Sequence, residues 1–255
     1  MKLITGFFMA WGNFLTLPCP LKLWNNDLKN YMLGFLPSVG LIIGLIWAGV
    51  CLLLASLSFP YLAMAFIMTF VPFALCGFMH LDGFMDCSDA IMSRKPLEIR
   101  QQILKDSHTG AFSVVSLAFL LLGFHAFLSS ALSTGLDFIN LILIPVVSRG
   151  VSASHVLMCK PIGHSQYADG AGSENMGQKK KAFLLILIQL ALYCCVCGYF
   201  ALSVAGTAVV LAATALGSMI AIFYGRRQLG GMSGDIAGYG IVWGELIGVF
   251  ALAMF

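Results

Sequence analysis

Seven apolar stretches of about 20 residues divide the chain, near 31–57, 60–80, 110–134, 136–158, 182–203, 205–225 and 236–255. A run of that length is what an α-helix needs to cross the ~30 Å hydrocarbon core of a bilayer. Such a helix satisfies its backbone N–H and C=O groups internally. The pattern predicts an all-α, polytopic membrane helical bundle of about seven spans. The first 17 residues read differently, because Gly12 and Asn13 interrupt their apolar run. They have only Lys2 as an early charge and no small-x-small cleavage site before Pro18, so a secretory signal fits poorly. Residues 1–30 predict an N-terminal interfacial or re-entrant helix, with Trp11 and several Phe at headgroup depth and Pro18 and Pro20 at its end. No repeat of fixed period is visible, and 1–255 reads as a single integral membrane domain.

Positive charge sharpens this picture. Every Lys and Arg except Arg149 falls outside the apolar stretches, and always in alternate gaps. Lys2, Lys22 and Lys29 precede the first. Arg94, Lys95, Arg100 and Lys105 follow the second, Lys160 and Lys179 to Lys181 the fourth, and Arg226 and Arg227 the sixth. The intervening turns contain none. Because Lys/Arg-bearing loops stay in the cytoplasm, the N-terminus is expected inside. The loops 80–110, 159–181 and 226–235 then face the cytoplasm, and the protein belongs in the cell's inner (cytoplasmic) membrane.

Composition agrees, with 60% hydrophobic and 10% charged residues and a mean hydropathy of +0.93; soluble domains carry about a quarter charged residues. The net charge of +3 fits loops lying against anionic lipid headgroups, not a nucleic-acid footprint. The eight cysteines lack metal-ligand spacing, and those inside spans read as small hydrophobes.

The densest chemistry is His80-Leu-Asp82-Gly-Phe-Met-Asp86-Cys-Ser-Asp89. In a helix, carboxylates at i, i+4 and i+7 share an arc of about 60°. Like charges so placed repel unless a cation holds them. Hard oxygen donors suit Mg²⁺, whose shell substrate phosphates usually complete. Asp82, Asp86 and Asp89 are therefore the candidate metal ligands. The other reading is a solvated acidic face, against which stand the apolar neighbours Leu81, Phe84, Met85 and Ile91.

Further along, Pro96 is placed to open a short helix, with Glu98 and Arg100 as ordinary surface charges. Lys105-Asp106-Ser107 comes within reach of the acidic cluster if the segment folds back. Its ammonium and hydroxyl suit phosphate oxygens, and Asp106 suits a proton or a metal. Arg149 is an intramembrane arginine, for which a paired or ligand-facing role is the default. Glu245 is also intramembrane, with no partner nearby in sequence, and His125 and His155 read as packed histidines. The polar, Gly-rich loop from Lys160 to Met176 has the length of a lid. Arg226-Arg227 with Gly230, Gly231 and Gly234-Asp235 suggests a phosphate cradle, although the glycine pattern alone is weak. Together these features point to phosphoryl chemistry on a substrate docked at the membrane surface.

His80-Leu81-Asp82-Gly83 with Asp86 and Asp89, followed by Lys105-Asp106-Ser107 and Gly110, resembles the signature of the cobalamin synthase (adenosylcobinamide-GDP ribazoletransferase) family. The likeness extends to Phe14-Leu15-Thr16-Leu17-Pro18, the Arg149 span, the Gly-rich 163–172 loop and the 226–235 segment, so it covers essentially the whole chain. Met85, Cys87, Ser88 and Ile91 depart from the expected pattern. The resemblance implies an Mg²⁺-dependent transferase. The 5′-hydroxyl of α-ribazole, or of its 5′-phosphate, attacks the phosphorus of adenosylcobinamide-GDP nearer the cobinamide, and GMP leaves. Asp82, Asp86 and Asp89 would be catalytic as metal ligands, with Asp89 or Asp106 as base. His80, Lys105, Ser107, Arg149, Arg226 and Arg227 would contact substrate. A homo-oligomer is left open.

Two other readings compete. A CDP-alcohol phosphotransferase also clusters aspartates on membrane helices, but here Gly directly follows the first Asp and Ala90 follows Asp89. An ion- or proton-coupled transporter is suggested by Arg149, Glu245 and the span histidines. Against it, nine of the eleven acids fall on the expected cytoplasmic side, and no repeated half is evident.

Overall fold

The computed structural model describes residues 1–162 and 176–254. Among these residues eleven α-helices follow one another: α1 (Lys2–Phe14), α2 (Lys29–Gly34), α3 (Leu36–Ser56), α4 (Tyr61–Leu75), α5 (Met79–Met92), α6 (Leu97–Ile103), α7 (Ala111–Thr134), α8 (Phe138–Met158), α9 (Met176–Tyr199), α10 (Val204–Leu229) and α11 (Gly234–Leu252). Six of them (α3, α7, α8, α9, α10 and α11) are long and apolar enough to cross a membrane singly. α1 has 13 residues, about 20 Å, and is too short to do so.

The second expected span, 60–80, is not one straight helix. α4 stops at Leu75, and α5 leaves it at 91°. Gly77 and Phe78 at the break both take left-handed backbone, φ +59° and +60°. The carboxylate motif therefore sits on a helix bent sharply away from α4, and not in a loop. Two contacts stabilise the break. Pro72 has no N–H for the carbonyl of Met68; the indole of buried Trp47 donates to that carbonyl at 2.8 Å. The end of α4 is capped from the N-terminal segment, where the Thr16 amide donates to Leu75 O at 2.9 Å. Other boundaries shift as well: Phe35 interrupts the first stretch, and Lys179 to Lys181 lie in the opening turns of α9.

α8 and α11 form the centre, and small residues let neighbours reach them. A side chain at Gly40 or Gly44 of α3 would collide with the α8 backbone at Pro145 or Ile142. Gly240, Gly244 and Gly248 of α11 leave room for the side chains of Ile222, Ser218 and Thr214 of α10. Lipid offers no hydrophobic drive between helices, so close backbone approach is what such interfaces use.

The turns sort to two ends. At one end the Leu202 amide bonds Asp137 at 2.7 Å. A cavity there is lined by Pro60, Leu136 and Leu202. At the other end Gln101 donates to Leu229 O at 2.8 Å, and Ile162 donates to Met232 O at 2.9 Å. Arg94, Lys95, Arg100, Lys105, Lys160, Arg226 and Arg227 all belong to this second end. The charge alternation read from sequence is thus a physical segregation of ends.

Candidate active site

α5 carries the acidic face at the cationic end of the bundle. Asp82 is exposed, Asp86 and Asp89 are partly buried, and the opposite face packs through Phe84, Cys87 and Ile91. What positions this helix is a seam with α11. A β-carbon at Gly83 would stand 2.8 Å from the Asp235 backbone, and one at Gly238 3.2 Å from the His80 backbone. Gly83 admits no side chain without a shift of the Asp235 backbone, and Gly238 keeps the same approach tight from the other side. The seam brings Asp235 into the company of Asp82, Asp86 and Asp89, all acting electrostatically on Asp86. Asp235 also accepts from the Ser233 hydroxyl at 3.2 Å. In sequence Asp235 reads as part of a glycine-rich loop; in the fold it is a fourth member of the acidic group, and the Gly234-Asp235 pair is the signal for it.

Asp89 is engaged differently from Asp82 and Asp86. Its two oxygens accept the Gly110 amide at 2.7 Å and the Ser113 amide at 3.0 Å. These are orphan N–H groups of the first turn of α7, so Asp89 caps that helix from a distance and favours its positive end. Among the described residues no three His, Cys, Asp or Glu side chains converge as a preformed metal site. Asp82 and Asp86 still fit Mg²⁺ by their chemistry, since both offer hard carboxylate oxygens and neither is fully buried.

The segment after α5 does fold back. α6 docks on the end of α10, with Arg100 bonded to Gln228 and partly buried; it is not an ordinary surface charge. Gly110 then returns to Asp89. Between these anchors, Lys105 and Ser107 are exposed. Asp106 accepts from the His108 ring Nδ1 at 2.6 Å and from the His108 amide at 3.0 Å. The bond holds Asp106 below the usual carboxylate range and His108 above the usual imidazole value. Asp106 is therefore half of a pair with His108, a partner its spacing alone does not announce.

Arg149 is brought to Glu245. The two side chains pair inside the bundle, both almost fully buried. Arg149 also donates to Cys76 Sγ at 3.2 Å, beside the α4–α5 break, and Ser148 donates to Glu245 at 3.1 Å. Each intramembrane charge thus has the other as partner, which removes the motive for a transporter and leaves little of the guanidinium for substrate. His80 is buried against Gly238, within electrostatic reach of Arg149. His155 bonds the Val151 carbonyl at 2.8 Å, as a packed histidine does.

Arg226 is partly buried and Arg227 exposed on the last turn of α10. The glycines beyond have structural work: Gly230 ends α10 at φ +82°, and a side chain at Gly231 would stand 2.8 Å from the Ile162 amide. The Gly-rich 163–172 loop lies outside the described residues.

Fold and site together define a polytopic helical membrane protein with a carboxylate face at its cationic end, an arrangement suited to phosphorylated substrates. Comparison with known proteins gives the family. The family model for cobalamin-5-phosphate synthase matches residues 6–253, and the chain belongs to that family. It is 34% identical over 250 residues to the adenosylcobinamide-GDP ribazoletransferase of Clostridium perfringens (strain 13 / Type A), covering 96% of both chains. The protein of the same name from Clostridium botulinum (strain Alaska E43 / Type E3) is 32% identical over 254 residues, 100% of this chain and 99% of the relative. That from Geobacillus kaustophilus (strain HTA426) is 31% identical over 247 residues, 95% and 92%. No solved structure matches the chain.

Proposed function

We propose that this protein carries out the last assembly step of the cobalamin nucleotide loop. It transfers the cobinamide phosphate of adenosylcobinamide-GDP to the 5′-hydroxyl of α-ribazole or its 5′-phosphate. The hydroxyl oxygen bonds to the phosphorus nearer the cobinamide, the bridging P–O bond breaks towards GMP, and the hydroxyl proton is released. Family membership over residues 6–253 supports the reaction. The single structural observation that supports the site is the acidic face of Asp82 and Asp86, joined by Asp235 across the Gly83 seam.

In this reading Asp82 and Asp86 would hold Mg²⁺, which would supply charge neutralisation for the phosphate groups. Asp235 sets the field around them. Asp89 holds the start of α7, and with it the 104–110 turn, against α5. The Asp106–His108 pair takes the hydroxyl proton, Asp106 orienting the ring as a carboxylate orients a catalytic histidine. Lys105, Ser107, Arg226 and Arg227 receive phosphate oxygens at the cationic end. Arg149 acts through Glu245, by fixing α8 to α11.

The cationic end faces the cytoplasm in this proposal, by the Lys/Arg bias of its turns. In a cysteine-free background, Ser58→Cys and Thr134→Cys are labelled from outside and Gln102→Cys from inside; the reverse overturns the orientation. Release of GMP in step with cobalamin by the purified protein tests the reaction itself.

A further inference from the structure

The side of α5 away from the acids lines a groove of opposite character. Phe84, Ser88 and Ile91 lie about 180–240° around the helix from Asp82. They face a gap between α7 and α10 whose floor is α11. Its first cavity, about 480 Å³, is walled by Phe119 of α7, Tyr224 of α10 and Trp243 of α11. It continues along α10 as a second cavity of about 460 Å³, over Leu216 and Ile220, with Tyr224, Tyr239 and Trp243 common to both. Ser88 and Ser116 turn their hydroxyls to the Phe84 carbonyl and Met92 Sδ, which keeps the wall apolar. The walls are themselves open to the outside, Phe119 73% and Ile220 67% exposed, so the groove opens sideways to lipid.

Its mouth is cationic. A third cavity, about 750 Å³, shares Ile91, Met92 and Tyr224 with the first and adds Arg94, Lys95, Arg100 and Gln228, with no acidic side chain in its lining. Arg100 donates to Gln228, while its buried Nε has no partner. Arg94 stands at φ +54°, a left-handed turn that a non-glycine residue adopts at a cost.

We propose that this groove is a binding site for an anionic phospholipid, with the phosphodiester held among Arg94, Lys95 and Arg100 and an acyl chain laid along Tyr224 and Trp243. Charge complementarity selects the headgroup. The continuity of a basic mouth into a bilayer-facing apolar channel selects a lipid over a soluble phosphate, which would use the mouth alone. The run from Gln228 to Ala213 along α10 is about 22 Å, more than the ~15 Å depth of one leaflet, so a whole chain fits. The site is separate from the acidic face and does not rest on the transferase reading.

The test uses tryptophan quenching in the purified, delipidated full-length protein. Phosphatidylglycerol with brominated acyl chains quenches Trp243 at a mole fraction roughly tenfold lower than brominated phosphatidylcholine does. The excess quenching disappears in Trp243→Phe, which identifies the reporter among the four tryptophans. It also disappears in the Arg94→Gln/Lys95→Gln/Arg100→Gln variant, whose helical circular dichroism is checked beside it. Equal quenching by the two lipids, or an excess that survives the triple substitution in folded protein, overturns the site. Displacement of the lipid by millimolar inorganic phosphate overturns the lipid and leaves a free-anion site.

Discussion

The carboxylate of Asp89 closes on the backbone of Gly110, accepting its amide at 2.7 Å across 21 residues of chain. With Ser113 taken by the second oxygen, one aspartate ties α5 to the start of α7. A β-carbon at Gly110 would stand 2.5 Å from that carboxylate, so glycine is needed for the clamp to close.

Asp89→Ala and Gly110→Ala are therefore expected to fail alike. Each lowers stability by about 1–2 kcal/mol, the usual worth of a helix cap, and each lowers turnover. Neither shifts the Mg²⁺ concentration for half-maximal rate. Thermal denaturation and Mg²⁺ titration of the two variants check this. A titration shifted in Asp89→Ala alone would make Asp89 a ligand.

Removing one member of the Arg149–Glu245 pair leaves a buried charge without its partner. Arg149→Met is expected to cost about 3–5 kcal/mol. Arg149→Met combined with Glu245→Leu should recover most of that loss, because neither charge is then stranded. Melting temperatures in detergent measure both. A stable Arg149→Met protein that has lost only donor affinity would place Arg149 on the substrate instead.

The Asp106–His108 pair predicts a pH signature. His108 accepts a proton only when neutral, so rate falls as pH drops through its raised pKa. Asp106 is the cause of that elevation. Asp106→Asn lowers the His108 pKa and moves the acid limb of the pH–rate profile to lower pH, with a smaller maximum. His108→Gln lowers turnover by about 10²–10⁴. An acid limb that stays in place in Asp106→Asn would remove the pair from the chemistry.

Runs of about 20 apolar residues set the number of crossings, and the alternation of Lys and Arg set their ends, because both are local signals. The break at Gly77-Phe78 was hidden: the stretch stays apolar from Tyr61 to Met79, and nothing in it announces a left-handed phenylalanine. The aspartates on α5 were visible as a spacing. Asp235 joins them only because Gly83 lets α11 approach, a contact across more than 150 residues. Arg149 and Glu245, 96 residues apart, each read as an isolated intramembrane charge. Asp89 stands out in the sequence only by its spacing from Asp82 and Asp86; the amides it caps, at Gly110 and Ser113, lie 21 and 24 residues further on. For Asp235, Arg149 and Glu245 what the sequence hid was a long-range pairing.

The proposed function rests on Asp82 and Asp86 serving a phosphotransfer from adenosylcobinamide-GDP to α-ribazole. The most direct measurement incubates purified protein with both substrates and Mg²⁺ and quantifies GMP and cobalamin together, for wild type, Asp82→Asn and Asp86→Asn. Wild type should release GMP and cobalamin in equal amounts, dependent on Mg²⁺. Each variant should be inactive while keeping the wild-type melting temperature, since the substitution removes charge with little change of shape. Near-normal product formation by both folded variants would remove Asp82 and Asp86 from the chemistry, and no GMP from the wild type would overturn the transfer itself.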